Sequence, residues 1–399
     1  MRILAIHRFY WPDTPPYASI LREIVKRWVS DGHSVDVLSS YPSYKASVDR
    51  HVREGDVLLD GASVVRLKLP NESGRPFLRV FNALRLGFHI VWQGLFRCRY
   101  DVIMVSTYPP VVGGVFAAIT ARLTGARFIY HCMDVHPEIG RHSGEFKNRY
   151  VFSLLSYLDE WTCRQANPVV VLSDDMKATL LRREPSNHLR CEIVNNFSLP
   201  AEEPPMEVLP FNWPSEKFVL LFAGNLGRFQ GLDDLILAME NVRDRCDIRL
   251  LVMGDGSEKV RLQKAAEVSG ARVTFIGHQS IAVAKCAIKR AQAGFISLAP
   301  GLYRYAYPSK TMTYLEFGCP TLVVVEQESR LARDIVTSGA GISVQPGSPD
   351  AISKAILYLA DNRDNLRKMS ESARNLGASQ FSKNDLLNRW SNLFKAEDK

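Results

Sequence analysis

Apolar residues in this chain come in short unbroken runs, and the stretches between them carry helical spacing. In the first half the runs fall at residues 3–6, 35–39, 64–69, 102–106, 128–131, 169–172 and 192–195. A run that is apolar at nearly every position, rather than at every second one, predicts a strand covered on both faces. Alternation of such strands with helices predicts a parallel sheet. The first helix shows in Ile20, Leu21, Ile24, Val25 and Trp28, which recur at helical spacing ahead of a stop at Asp31-Gly32.

Residues 200–214 are rich in Pro and Glu without an apolar period and read as a linker. A second series of strands follows at 218–223, 248–253, 273–276, 294–298, 321–325 and 341–344, with Leu232, Leu235, Ile236 and Met239 marking the buried face of its first helix. From residue 350 onward the pattern is mainly helical, ending in Leu386, Leu387, Trp390 and Phe394. The expected architecture is α/β: two Rossmann-like, doubly wound parallel-sheet domains facing a cleft. The expected boundaries are a first domain at 1–200, a linker at 201–214, a second domain at 215–380, and a C-terminal helix at 381–399 that packs back on the first domain.

Composition narrows the function classes. At 399 residues, with 46% hydrophobic and 23% charged residues, the chain is a globular protein of two-domain length. A net charge of +8 suits phosphorylated ligands or an anionic membrane surface. The basic residues are spread along the chain and no nucleic-acid module is recognisable, so nucleic acid is not an expected partner. Seven cysteines without a C-x-x-C pair read as reduced, mostly buried thiols of a cytoplasmic protein. The opening Met1-Arg2-Ile3-Leu4-Ala5-Ile6 is too short an apolar core for a signal peptide and reads as a strand. Residues 102–121 are uncharged and of membrane-spanning length, but Pro109-Pro110 and Gly113-Gly114 split them into a strand and a helix at 115–123.

Two segments carry the candidate chemistry. The stretch from Phe222 to Leu232 contains Gly224, Asn225, Gly227 and Arg228, and Tyr307-Pro308-Ser309-Lys310 lies in the same domain. Each reads as a turn opening a helix with a cation where an acidic residue is favoured, an inversion that an anion between them would resolve. Gly254-Asp255-Gly256 follows a strand at the carboxyl edge of the sheet, as a ligand loop or a plain turn. The segment from His131 through Asp134 and His136 to Glu138 concentrates polar groups at a strand end. Its spacing fits no helix-borne zinc motif and Pro137 breaks any helix, so it reads as an active-site loop rather than a metal site. Residues 75–99 mix Phe77, Phe81, Phe88 and Trp92 with five arginines on one amphipathic helix. That composition suits an anionic membrane surface, or else an ordinary core helix with a basic outer face.

In their order and spacing these motifs resemble glycosyltransferase family 4 of GT-B fold, in its bacterial polysaccharide and lipopolysaccharide branch. The carriers are the segment Asp13 to Ala18, the segment Asp134 to Glu138, Val194-Asn195-Asn196, the loop Gly224 to Leu232, Gly254-Asp255-Gly256, Pro308-Ser309-Lys310 and Gly318-Cys319-Pro320. The resemblance implies a retaining, metal-independent transferase that takes a sugar from a nucleoside-diphosphate donor and passes it to a carbohydrate or lipid-linked acceptor. It implies no cofactor, since the nucleotide sugar is a substrate. Together with the cysteine usage and the basic, aromatic stretch 75–99, the expected location is the cytoplasm, with peripheral contact at the inner face of the membrane. Arg228 and Lys310 would hold the diphosphate, the backbone from Gly224 to Gly227 and Gly254 would line the donor, and His278 would lie near the base. Ser329 and Arg330 would contact sugar or phosphate, and His131 or Asp134 would orient the acceptor hydroxyl or the sugar. The family's paired glutamates are absent: Thr313 stands at the ribose position and Tyr305 at its companion, with Glu316 on the same helical face as a substitute. A GT-B nucleotide-sugar epimerase and a catalytically silent nucleotide-binding scaffold are the alternatives.

Overall fold

Unbroken apolar runs become buried parallel strands in the computed structural model, which describes the chain except residues 14, 43–56, 71, 73–74, 143, 145, 147, 184–188, 201–207, 215, 217 and 395–399. Thr14, half of the expected linker and the last five residues of the terminal segment therefore lie outside the described residues. Contacts divide the chain into two units, Met1–Asn195 with Asn384–Lys399, and Asn196–Lys383.

The first unit runs β1 (Arg2–Ile6), α1 (Pro16–Ser30), β2 (Ser34–Ser40), β3 (Val57–Leu59), β4 (Ala62–Leu67) and α2 (Pro76–Trp92), which passes into a five-residue π turn, Gln93–Arg97. It continues through β5 (Val102–Ser106), α3 (Val112–Thr124), β6 (Arg127–Cys132), α4 (Glu138–His142), α5 (Arg149–Gln165), β7 (Val169–Val171), α6 (Asp174–Arg183) and β8 (Cys191–Ile193). Among the described residues its eight strands lie in the order β3-β4-β2-β1-β5-β6-β7-β8, and every pairing is parallel except β3 with β4. All five residues of β5 are buried, as an unbroken apolar run requires. The expected strand at 192–195 starts and ends earlier, as β8. The helix expected at 115–123 gains a turn at its start, because Pro109 and Pro110 lie ahead of α3 rather than inside it. The edge strand β3 is too short to register as a run.

The second unit comprises β9 (Phe218–Ala223), α7 (Asp233–Asn241), β10 (Ile248–Met253), α8 (Lys259–Ser269), β11 (Val273–Ile276), α9 (Ile281–Arg290) and β12 (Ala293–Ser297). After these come α10 (Lys310–Glu316), β13 (Thr321–Val324), α11 (Arg330–Ser338), β14 (Gly341–Val344), α12 (Pro349–Asp361) and α13 (Arg363–Gln380). The sheet is parallel throughout in the order β11-β10-β9-β12-β13-β14, the doubly wound order whose direction reverses between β9 and β12. Phe222, Leu250, Phe295, Leu322 and Ile352 fill its core. The chain then returns to the first unit as α14 (Lys383–Asn392), where Trp390 meets Trp28 of α1 edge-on at 6.0 Å. Both indoles are buried, and Phe394 closes on Trp28 at 5.1 Å. Of the seven cysteines five are buried, and all are free thiols.

Candidate active site

Open parallel sheets bind ligands beyond the carboxyl ends of the strands where the winding reverses. In the second unit that point is the end of β9 and β12, and the loop from Gly224 to Gly231 sits there. Its path is fixed from two sides. Backbone N–H groups of Gly224 and Leu226 donate to Met253 and Asp255 carbonyls at 2.9 Å, and Ala299 N–H donates to Phe229 O at 2.7 Å. Gly254 and Gly256 are demanded by this packing: a Cβ on Gly254 would fall on the Gly224 carbonyl, and one on Gly256 on the backbone of Leu226. Gly254 at φ 147° thus serves first to seat the Gly224 loop.

Arg228 does not open an α-helix, contrary to the sequence expectation. It begins a three-residue 3-10 turn, and α7 starts five residues later with Asp233 and Asp234 in its first turn, where acidic residues suit the helix dipole. The Arg228 guanidinium is largely exposed and pairs with Glu258 at 3.3 Å. Within the loop, Gln230 Oε1 accepts from Gly227 N–H at 3.0 Å, so Gln230 acts as a brace for the turn. A Cβ on Gly227 would lie 2.9 Å from the Asn225 amide nitrogen, which places Asn225 over the same turn.

Lys310 is the outlying group of the site. Tyr314, one turn further along α10, donates to Leu221 O at 3.0 Å and accepts from Ala223 N–H at 2.9 Å, clamping α10 to the end of β9. That clamp carries Lys310 beneath the Gly224 loop, its Nζ 3.7 Å from the centroid of the Phe222 ring. The Nζ is buried and has no hydrogen-bond partner among the described residues. Burial without a counter-charge pushes its pKa down to about 7. A buried ammonium with three empty donors is costly, and an anion at the Gly224 loop would satisfy it.

On the same helix, Thr313 and Glu316 converge on Ser198, whose hydroxyl donates to Glu316 Oε2 and lies 3.3 Å from Thr313 Oγ1. Lys285 pairs with Glu316 at 3.1 Å. Ser329 caps α11, accepting from Ala332 N–H at 3.1 Å, and Arg330 pairs with Asp334 at 2.8 Å, so both have structural partners. His278 is exposed on the turn after β11.

In the first unit the winding reverses between β1 and β5. The loop after β6 carries Asp134, whose backbone N–H donates to Thr107 Oγ1 at 3.4 Å beyond the end of β5. Asp134 keeps part of its residue surface, and burial of its carboxyl pushes the pKa up to about 6. His131 lies at the end of β6, fully buried, with Nδ1 2.7 Å from Tyr17 OH and its ring 4.7 Å from Trp390. Burial pulls its pKa down to about 3, so the imidazole is neutral and packed into the core. Of the two, Asp134 is the residue with surface open to a ligand. Beside them the sequence reading overlooked a buried hydrogen bond between His7 and Ser106; its only sequence signal is that both polar residues end apolar strands. Among the described residues no three His, Cys, Asp or Glu side chains gather as a metal site.

The family model for glycosyl transferases group 1 matches residues 209–376, and that for the glycosyl transferase 4-like domain matches residues 17–196. The chain belongs to the family 4-like glycosyltransferases of GT-B fold. This transferase is 26% identical over 267 residues to the probable glycosyltransferase WbjE of Pseudomonas aeruginosa, covering 65% of the chain and 66% of that relative. It is 23% identical to WcaI of Escherichia coli, whose name assigns it to colanic acid biosynthesis as a glycosyl transferase, over 89% of the chain and 91% of the relative. The sucrose-phosphate synthase of Thermosynechococcus elongatus matches its fold with a TM-score of 0.77 at 15% identity, over 98% of each chain. Anabaena HepE, solved in complex with UDP-glucose, matches with a TM-score of 0.67 at 14% identity, over 99% of each chain.

Proposed function

We propose that this transferase moves a sugar from a nucleoside-diphosphate donor to a carbohydrate or lipid-linked acceptor in surface glycan assembly, with retention of anomeric configuration and without a metal. One observation carries the donor half: the buried, unpartnered Lys310 ammonium beneath the Gly224 loop at the winding reversal of the second sheet. A diphosphate there would supply the missing acceptors, and the charge that builds on the departing phosphate would meet a cation already stripped of water. Arg228, exposed on the rim of the same loop, would join the diphosphate by releasing Glu258. Thr313 and Glu316 would meet the ribose, with Ser198 and Lys285 holding Glu316 in place. Asp134 would orient the acceptor hydroxyl, and the leaving phosphate would take its proton. Names among the relatives and solved neighbours support the class of donor and pathway: UDP-glucose for HepE and colanic acid biosynthesis for WcaI. In this reading residues 75–99 make peripheral contact with the membrane that carries a lipid-linked acceptor.

The test is thermal-shift binding of nucleoside diphosphates and their sugars in EDTA, with wild type, Lys310→Ala and Arg228→Ala. At least one nucleotide is expected to raise the melting temperature of wild type, the shift being lost in Lys310→Ala and reduced in Arg228→Ala. No stabilisation by any nucleotide, or full stabilisation of Lys310→Ala, would overturn the donor site. Release of free sugar without transfer would point instead to an epimerase.

A further inference from the structure

The face of the first unit built by α2, the π turn, α3 and α5 is apolar where it should be polar. Fourteen of the twenty-two exposed large apolar side chains among the described residues lie on these elements, which make up a small part of the chain. On α2 they form one stripe: Phe77, Phe81, Leu84 and Phe88 follow at spacings of four, three and four, and Trp92 and Phe96 prolong it. The opposite stripe of α2 holds Ala83, Leu86 and Ile90, all buried, so the helix already has its core face. The outer stripe is therefore surplus to that core face, so α2 is a core helix whose outer face is apolar as well as basic.

The patch does not stop at α2. Gly87 lies so close to the Phe116 ring of α3 that a Cβ would stand 2.5 Å from it, and Phe88 meets Phe116 edge-on at 5.4 Å. On α3, Ile119 and Leu123 are exposed one turn apart. Gly114 of α3 lies against Thr162 of α5, where a Cβ would be 2.9 Å from the threonine methyl. On α5, Tyr150, Leu154 and Tyr157 repeat at helical spacing and are 58–71% exposed. Glycines thus draw three helices side by side, and each turns an apolar stripe outward.

Charge selects the occupant. Residues 75–99 and α3 contain no Asp or Glu at all, while Arg75, Arg79, Arg85, Arg97, Arg99 and Arg122 are among them. The acidic residues of α5, Asp159 and Glu160, lie in its last two turns, and Asp159 is buried in pairing with Arg183 at 3.0 Å. Aromatic residues and Arg occur at protein interfaces too, but a second copy of this face would set arginines against arginines with almost no carboxylate to pair them, whereas a headgroup layer that is negative outside and apolar beneath matches both the arginines and the aromatic rings. We infer that α2, the π turn, α3 and α5 form one continuous docking face for an anionic lipid bilayer. This widens the contact at residues 75–99 proposed above and is independent of the donor site.

Co-sedimentation of the full chain with vesicles of phosphatidylcholine alone or with one-third phosphatidylglycerol tests it, using Phe81→Ser/Phe88→Ser, Leu154→Ser/Tyr157→Ser and Arg79→Glu/Arg85→Glu. Wild type should bind the anionic vesicles at least tenfold more tightly than the neutral ones. Both serine pairs should lose tenfold or more on anionic vesicles, and the glutamate pair should lose the preference for anionic lipid, as high salt should in wild type. Nucleotide thermal shifts on the same variants should match wild type, which separates this face from the donor site. The inference is overturned if wild type binds neither vesicle, or if the α5 pair binds as wild type does. It is equally overturned if wild type is a dimer that the serine pairs dissolve, since the face would then bind a second copy.

Discussion

Lys310 and Arg228 show what one residue's surroundings decide. Both stand out in the sequence as cations at turns, but the fold treats them oppositely: Arg228 is left exposed beside Glu258, and Lys310 is buried against Phe222 with no hydrogen-bond partner among the described residues. No local signal separates them, because burial of Lys310 comes from Tyr314 clamping α10 to Ala223 of β9, 91 residues away in sequence. Its isolation has a measurable sign. With a native pKa of about 7 against 10.5 unfolded, the unfolded chain binds more protons between those values, so wild-type stability rises with pH through that window. Lys310→Met removes this penalty and keeps the packing. Urea denaturation of the ligand-free protein should find the variant more stable below pH 7, by at most about 5 kcal/mol. The difference should shrink toward zero as pH approaches 10.5, and a difference independent of pH would mean that the ammonium is not desolvated. A stabilising change that also abolishes nucleotide binding is the expected trade at a site held strained for a ligand.

Elements were legible wherever the apolar pattern had one interpretation. Strands β5 and β9 are unbroken runs covered on both faces, and no other element of that length fits them. Helix α2 had two interpretations, since a helix apolar on most of its circumference does not say which stripe a neighbour will cover. The answer depended on Gly87 and Gly114, which decide how close α3 comes to its neighbours on either side. The loops of the second unit were read for their glycines, and there the roles divide: Gly254 and Gly256 are spacers that let the loop after β9 rest on the loop after β10. Gly254→Ala should therefore act on the Gly224 loop without touching a ligand. Its Cβ would collide with the Gly224 carbonyl at a backbone angle that disfavours alanine. A loss of about 2–4 kcal/mol in urea denaturation is expected, together with loss of the nucleotide-dependent thermal shift. Wild-type stability in that variant would show that the two loops part freely.

At the scale of the whole molecule, the chain begins in one unit, builds the other, and returns to finish the first. The return was legible in Leu386, Leu387, Trp390 and Phe394, but its consequence for His131 was not. In the sequence this histidine at the end of a strand reads as part of an active-site loop; in the fold Trp390, contributed from 259 residues further on, packs against its ring. The same indole packs on Trp28, so α14 completes the core of the first unit rather than decorating it. Trp390→Ala should leave a cavity between α1 and β6 and cost about 3–5 kcal/mol. Because Trp28 and His131, the rings that Trp390 packs against, belong to the first unit, hydrogen exchange should quicken in β1, β2 and β6 while amides of β9, β10 and β12 keep their protection. Equal quickening in both sheets would mean that α14 stabilises the second unit as well, and unchanged exchange in β1 would mean that the first unit is complete without it. The predicted split bears on the proposed donor site: a second sheet whose stability does not depend on the chain's end would keep that site formed even while α14 parts from the first unit.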